Sequence, residues 1–466
     1  MSDARWDVPR VWTWVKASDV ALIVGGGTPS TKEEGNFAEA GFGIPWIGPA
    51  DLTGYKQSYI GSGRRDLTTK GLAASGARLL PKDAVLFSSR APIGYCAIAK
   101  NPVATNQGFK SWICFDGVLP QYVRLYLLAS VDYIDSLASG TTFREISAKR
   151  VETVAFPLPP AAEQRRIVAK LDVLTARIAR GRIELDRVVK LAALLRTNAL
   201  SRAFHSFAGD ESVESLLIDD RTKPLHRLPK GWQWKALSEL GVISSGLTKN
   251  RNRNVLGSKV KYLRVANVYA NELRLENVDE IGCTSAELEK TRLEVGDVLI
   301  VEGNGSLKEV GRAAIWNAEI ADCSHQNHLI RVRLTDQVHP KYLLFWLMSP
   351  AARQKIERLA ASTSGLHTLS ISKILGFPLP LSAKAEQLRI VAQIEATFAR
   401  ADGLEAKAVH ARKLLDRLEA AILAKAFRGE LVPQDPNDEP ADKLLERIKA
   451  ERAAAPRPKR GQRAAS

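Results

Sequence analysis

The side chains able to do chemistry in this sequence sit in polar loops. In the first half they are Thr28, Ser30, Ser88, Ser89, Arg90, Asn106, Gln107, Lys110 and Arg144. In the second half they are Lys249, Asn250, Arg251, Arg253, Asn304, Ser306, Lys308, Arg312 and the run His325-Gln326-Asn327-His328. Arginine matches guanine edges, asparagine and glutamine match adenine edges, and lysine, serine and threonine hold phosphates, so this inventory suits DNA. For any single amide the plainer reading, capping a turn of its own backbone, stands beside it.

Catalytic patterns are absent. Gly25-Gly-Gly-Thr-Pro-Ser30 lacks the lysine of a phosphate loop, and no dinucleotide fingerprint occurs. Asn101-Pro-Val-Ala104 is not the Asn/Asp-Pro-Pro-aromatic tetrapeptide of adenine methyltransferases. His325 and His328 alone do not make a metal site, and Ser88 and Ser89 have no histidine signal beside them. The sequence therefore predicts a binding protein without a catalytic centre, metal or cofactor of its own.

Composition points to the partner. The 466 residues carry 67 Lys+Arg against 51 Asp+Glu, a net charge of +16, which favours a polyanion. No apolar run approaches the length of a membrane span, and the start lacks a signal-peptide core, so nucleic acid is preferred to a membrane. Four cysteines without paired spacing suit a reduced, cytoplasmic setting.

The elements that must position these loops occur twice. Trp12-Thr-Trp14 returns as Trp232-Gln-Trp234, Phe156-Pro-Leu-Pro159 as Phe377-Pro-Leu-Pro380, Glu163-Gln164 as Glu386-Gln387, and Ala203-Phe204 as Ala426-Phe427. A nearly constant offset means a duplicated unit. Each copy runs from a tryptophan pair through a glycine-rich turn and strand-like runs (Asp83–Phe87, Asp297–Val301) to a helix and a proline-rich exit. A long helical pattern follows each exit. Its inward positions are Ile167, Leu171, Leu174, Ile178, Gly181, Leu185, Val188, Ala192 and Leu195 in the first. In the second they are Ile390, Ile394, Thr397, Ala401, Leu404, Ala408, Ala411, Leu415, Leu418 and Ile422. Alternating steps of three and four are a coiled-coil seam, so the two helices can pair with each other.

The expected architecture is α+β. Two mixed domains, 1–160 and 232–383, are each followed by a spacer helix, 161–208 and 384–430. A linker covers 209–231 and a polar tail with a short helix covers 431–466. A coiled-coil scaffold that binds only proteins is the rival from another class; salt-dependent DNA affinity separates the two.

At this point the chain resembles the DNA specificity subunits of type I restriction–modification systems. Carrying the resemblance are Gly26-Gly-Thr-Pro-Ser30, Ser88-Ser-Arg-Ala-Pro-Ile-Gly94, Thr105-Asn-Gln-Gly108 and the repeated Phe-Pro-Leu-Pro/Glu-Gln junction. Glu302-Gly-Asn304-Gly-Ser306, Val310-Gly-Arg312, His325-Gln-Asn-His328 and Ala426–Pro440 add to it, while Leu381 departs from it in place of a second proline. The resemblance implies two target-recognition domains reading a split, asymmetric site in double-stranded DNA. It implies antiparallel helices that set the spacing and bind two modification subunits, which carry S-adenosylmethionine and methylate adenine N6. Restriction subunits would bring ATP and Mg²⁺. The rival of the same fold is a type IIG-like arrangement whose enzyme halves were lost from this chain.

Overall fold

The computed structural model describes residues 6–454 apart from 91, 141–143, 206–227, 252, 254, 255, 257 and 362–366. Most of the expected linker and the basic end after 454 therefore lie outside the described residues. The chain divides into two compact units, Met1–Ile183 with Ala411–Ser466, and Glu184–His410. Among the described residues no helix is long and apolar enough to cross a membrane.

In the first unit the tryptophan-bearing strand Thr13–Lys16 pairs antiparallel with Ala155–Leu158, setting Trp14 opposite Pro157. The proline-rich exit is thus a strand of a two-stranded ladder, where a missing N–H can be tolerated at an edge. Its carbonyls are taken by aromatic side chains instead: Tyr122 Oη donates to Pro157 O at 3.1 Å and Tyr126 Oη to Ala155 O at 2.5 Å. The main sheet orders Ala21–Gly25, Lys110–Cys114, Val85–Ser89, Ile93–Ala99 and Tyr59–Ile60. A smaller sheet orders Phe37–Glu39, Arg65–Leu67, Ile44–Ile47 and Ala104–Thr105.

The second unit repeats this plan. Gln233–Ala236 pairs with Pro378–Leu381, Trp234 standing opposite Pro380. Tyr342 Oη donates to Pro380 O at 2.6 Å and Trp346 Nε1 to Pro378 O at 2.8 Å. Its main sheet orders Gly241–Ser245, Leu329–Leu334, Val298–Val301 and Ala313–Ile315, and its second sheet Asp279–Gly282, Lys259–Leu263 and Ser324–His325.

The repeated glutamine explains the junction. Gln164 Oε1 accepts from Leu119 N–H at 2.8 Å, while its amide donates to Pro159 O at 3.1 Å and Gly117 O at 3.3 Å. Gln387 does the same with His339 N–H, Ser382 O and Gln337 O, each at 2.9 Å. Both amides are fully buried and satisfy backbone groups beside a helix start. Glu163, also buried, accepts from Trp12 Nε1 at 2.8 Å and Gln434 Nε2 at 2.6 Å. Burial raises its carboxyl above the ordinary range despite those donors.

The helices Ala161–His205 and Lys384–Phe427 contribute to both units. In the first unit Gly181 lies against Leu415, where an added Cβ would come within 3.2 Å of the leucine methyl, so the glycine marks a close crossing. Next to it Arg182 reaches Asp416 and Glu419, both at 2.6 Å. In the second unit Arg196 holds Glu405 at 2.7 and 2.9 Å and also Asp402. Ile167, Leu171, Ile178, Ile390 and Ile394 are buried as expected, and Leu174, Leu185, Val188, Leu415 and Ile422 are half-buried.

Leu195, Leu404 and Leu418 leave the seam, at 37%, 43% and 49% exposure. Their places toward the partner helix go to the neighbouring Arg196, Glu405 and Glu419. A helix of 3.6 residues per turn drifts ~20° per heptad from a strict 3.5 repeat, which over several heptads moves the contact line by one residue.

The core of the first unit takes in the end of the second long helix. Phe427 packs against Tyr122 (tilted) and Tyr126 (edge-on), with centroids 5.5 and 5.3 Å away. Phe204, at the end of the first helix, does the same for Tyr342 and Trp346 in the second unit, at 5.4 and 5.3 Å. A C-terminal helix, Ala441–Ala454, then buries Leu444 and Ile448 in the first unit.

Candidate nucleic-acid interface

In each unit three loops are joined by the same backbone hydrogen bonds. In the first, Gly27 N–H donates to Thr105 O at 2.9 Å, Asn106 N–H to Ile47 O at 3.0 Å and Phe109 N–H to Asn106 O at 3.2 Å. Ser89 N–H donates to Gly108 O at 2.7 Å and Ile146 N–H to Ser89 O at 3.0 Å. In the second, Leu247 N–H donates to His325 O at 2.8 Å, Gln326 N–H to Leu263 O at 2.8 Å and Leu329 N–H to Gln326 O at 2.9 Å. Glu302 N–H donates to His328 O at 3.0 Å and Leu369 N–H to Glu302 O at 2.7 Å. The glycine at the turn is needed in both. A Cβ on Gly26 would stand 2.0 Å from Asn106 O, and one on Gly246 would stand 1.9 Å from His325 O.

This frame places Thr105-Asn106-Gln107-Gly108 where the second unit has His325-Gln326-Asn327-His328, and Ser89-Arg90 where it has Glu302-Gly303. The bridge between Arg90 and Glu145 becomes the ladder of Gly303–Asn304 with His367–Thr368. One scaffold thus carries two unlike sets of side chains.

Several expected readers are brought together at the surface of the first unit. Thr28 Oγ1 donates to Gln107 Oε1, and Gln107 and Ser30 are exposed. Arg90 lies 3.8 Å from Glu145, and Arg144 pairs with Asp135 at 3.1 Å while staying about half exposed. In the second unit Lys249 (67% exposed, 3.6 Å from Asp279), Asn250, Arg251, Ser306, Lys308 and His328 are exposed. Asn304, Gln326 and Asn327 are half-buried, Gln326 Oε1 accepting from Val265 N–H at 3.5 Å. His328 Nδ1 sits 3.0 Å from Glu302.

Other expected readers are structural. Ser88 and Ser89 are fully buried: Ser88 Oγ donates to Pro92 O at 2.8 Å and accepts from Tyr95 N–H, and Ser89 Oγ donates to Gly108 O at 3.1 Å. His325 is fully buried, its Nδ1 3.2 Å from Thr291 O. Burial, with Arg331 next in weight, lowers its pKa to about 3, so the ring is neutral. Asn106 Oδ1 turns back on Gly108 N–H at 2.8 Å, and Asn304 Oδ1 on Ser306 N–H at 2.9 Å, the turn-capping reading. Lys110, 12% exposed, is held among Ser89, Gln107 O and Glu145.

Arg253 and Arg312 are committed inward as well. Arg253 grips Glu287 at 2.9 and 3.1 Å, Thr248 O and Gly282 O, and draws the Glu287 carboxyl down to about 2. Arg312 pairs with Glu309, donates to Val265 O at 3.0 Å and lies over the Tyr269 ring. A loop arginine read from sequence cannot be told from one whose carboxylate partner arrives from a distant strand or helix.

Residues 9–185 match the family model of the type I restriction modification DNA specificity domain. A specificity subunit of a type I restriction enzyme (MjaIX) from Methanocaldococcus jannaschii is 33% identical over 308 residues, covering 65% of this chain and 68% of that protein. The chain belongs to the type I restriction–modification specificity subunits. The EcoKI specificity subunit of Escherichia coli is 27% identical over 96% of this chain and 97% of its own length. A chain from a type I R-M system whose complex assembly and conformational transition were described superposes with a TM-score of 0.68 at 22% identity, over 91% of this chain and all of its own. The HsdS subunit from Thermoanaerobacter tengcongensis gives 0.60 at 23% identity, over 92% of this chain and all of its own. These superpositions establish the fold.

The subunit is a DNA-specificity component and not an enzyme. Sequence reasoning missed His367, which holds the frame position of Arg144, and missed the glutamines as frame-setting residues. The signal for both was the repeat offset: Arg144 and His367 differ by the same 223 residues as Glu163 and Glu386.

Proposed function

We propose that the subunit reads an asymmetric, two-part target, one part with each recognition domain, and recruits two modification subunits through its long helices. The observation that carries the first half is the shared loop frame bearing different side chains, since a common scaffold with unlike readers selects unlike base sequences. For the second half, equivalent leucines are exposed in both repeats: Leu191 and Leu195 at 62% and 37%, Leu414 and Leu418 at 48% and 49%. Large apolar side chains left bare at matching positions suit two copies of one partner. In this reading S-adenosylmethionine belongs to the modification subunits, and ATP and Mg²⁺ to restriction subunits.

Co-expression with its modification subunits should place N6-methyladenine in one bipartite motif of the host DNA, read by methylation-sensitive sequencing. A single continuous motif, or none, would end this reading. Inserting four residues, about one turn or ~5.4 Å, at matched places in both helices should lengthen the unread spacer by one to two base pairs at ~3.4 Å each. An unchanged spacer would refute the helices as a ruler.

Loop cations should divide by their partners. Lys249→Ala and Arg251→Ala each lower the salt dependence of DNA binding by the complex by about one unit of slope and leave melting unchanged. Arg253→Ala instead costs about 1–3 kcal/mol of stability, because it strips Glu287 and two carbonyls of their donor. Salt titration and thermal melting check both.

A further inference from the structure

We infer that His367 is a base-reading residue of the second recognition domain, offering an imidazole N–H to a purine edge in the major groove. The inference rests on the reading of that domain as the reader of one half-site.

Position is the first argument. His367 lies directly across the Gly303–Asn304/His367–Thr368 ladder from Asn304, and residues paired this way project to the same face. Asn304 Oδ1 accepts from Ser306 N–H, which fixes the amide and leaves its NH2 to donate. Exposed Ser306, Lys308 and His328 surround the ladder, so phosphate and base contacts are both within its neighbourhood.

Equivalence is the second. Ile146 N–H to Ser89 O in the first unit corresponds to Leu369 N–H to Glu302 O in the second, which makes Arg144 and His367 the same place in the frame. Arg144 is about half exposed, paired with Asp135, and its chain neighbour Glu145 meets Arg90 and Lys110 in the loop set of its own domain. A position that carries arginine in one reader and histidine in the other keeps a donor while changing its geometry and charge.

The third argument is an unmet hydrogen bond. His367 Nδ1 is shielded from solvent and has no partner among the described residues, although the ring as a whole is partly exposed. A desolvated ring nitrogen without a partner costs free energy, and turning the ring so that this nitrogen meets a ligand's partner group on the exposed side recovers it. A purine presents N7 with O6 of guanine or N6–H of adenine, so it can meet an imidazole as acceptor or as donor–acceptor pair. The competing account is a packing histidine with no contact to DNA, and it predicts a different result.

The test uses the full complex with its modification subunits and a target library randomised over the second half-site, with methylation as readout. His367→Ala should reduce discrimination at one base pair of the second half-site by roughly 5- to 150-fold and leave the first half-site unchanged. His367→Arg, the residue type of the equivalent position, should move the preference at that same base pair toward guanine. If wild type shows a bipartite motif and both variants keep it unaltered, His367 is not a reader. If wild type shows no second half-site at all, the underlying function fails instead. Variants that melt earlier while keeping wild-type discrimination would assign His367 to packing and overturn the inference.

Discussion

Phe427→Ala destabilises the first unit by about 3–5 kcal/mol, the range for deleting a buried aromatic from a packed core. The side chain is 1% exposed and closes an aromatic cluster with Tyr122 and Tyr126, whose hydroxyls hold the proline-bearing strand. Its removal opens a cavity between the end of one long helix and a domain that begins more than four hundred residues earlier in sequence. Phe204→Ala has the matching effect on Tyr342 and Trp346 in the second unit. Denaturant unfolding of the full chain measures both. A loss below about 1 kcal/mol in either would show that the cavity collapses and that the helix ends do not hold the domains.

Acidification from pH 7 to pH 5 costs the second unit about 2 kcal/mol through His325 alone. The folded protein keeps this ring neutral down to about pH 3, because burial and then Arg331 oppose its charge, Thr291 O favours it weakly, and Arg333 adds further opposition. In the unfolded chain the ring takes a proton near pH 6.5. The unfolded state therefore binds more protons between those values, and the stability contribution is intact above pH 6.5 and lost as pH falls toward 3. His325→Leu and His325→Gln remove the titration whatever their absolute stability. The difference in slope between wild type and either variant over pH 7 to 5 is the measurement, and equal slopes would exclude His325 as the acid-sensitive group.

The neighbours of that histidine show where sequence reading stopped. His325 and His328 are three residues apart in one polar run, yet one is sealed in the core and the other is 56% exposed. The run starts as a strand, Ser324–His325, paired with Lys259–Leu263, and only then becomes a loop. Polarity alone does not reveal that change. Arg253 and Arg312 misled in the same way, since Glu287 lies in a later helix and the Val265 carbonyl in an earlier turn.

Periodicity and repetition are local properties, and those the sequence determined by itself. The duplicated tryptophan and proline strands, the two long helices and most of the buried seam follow from residue spacing, because a helix or strand face is set by the chain's own 3.6 and 2.0 periods. Tertiary structure decided what depends on meetings between distant segments. It turned Leu404 and Leu418 out of the seam in favour of Glu405 and Glu419, tied the glycine turns to Thr105 and His325, and sorted the polar loop residues into buried and exposed. A hydrogen bond or ion pair uses up a side chain only once its partner arrives, and most of these partners arrive from tens to hundreds of residues away.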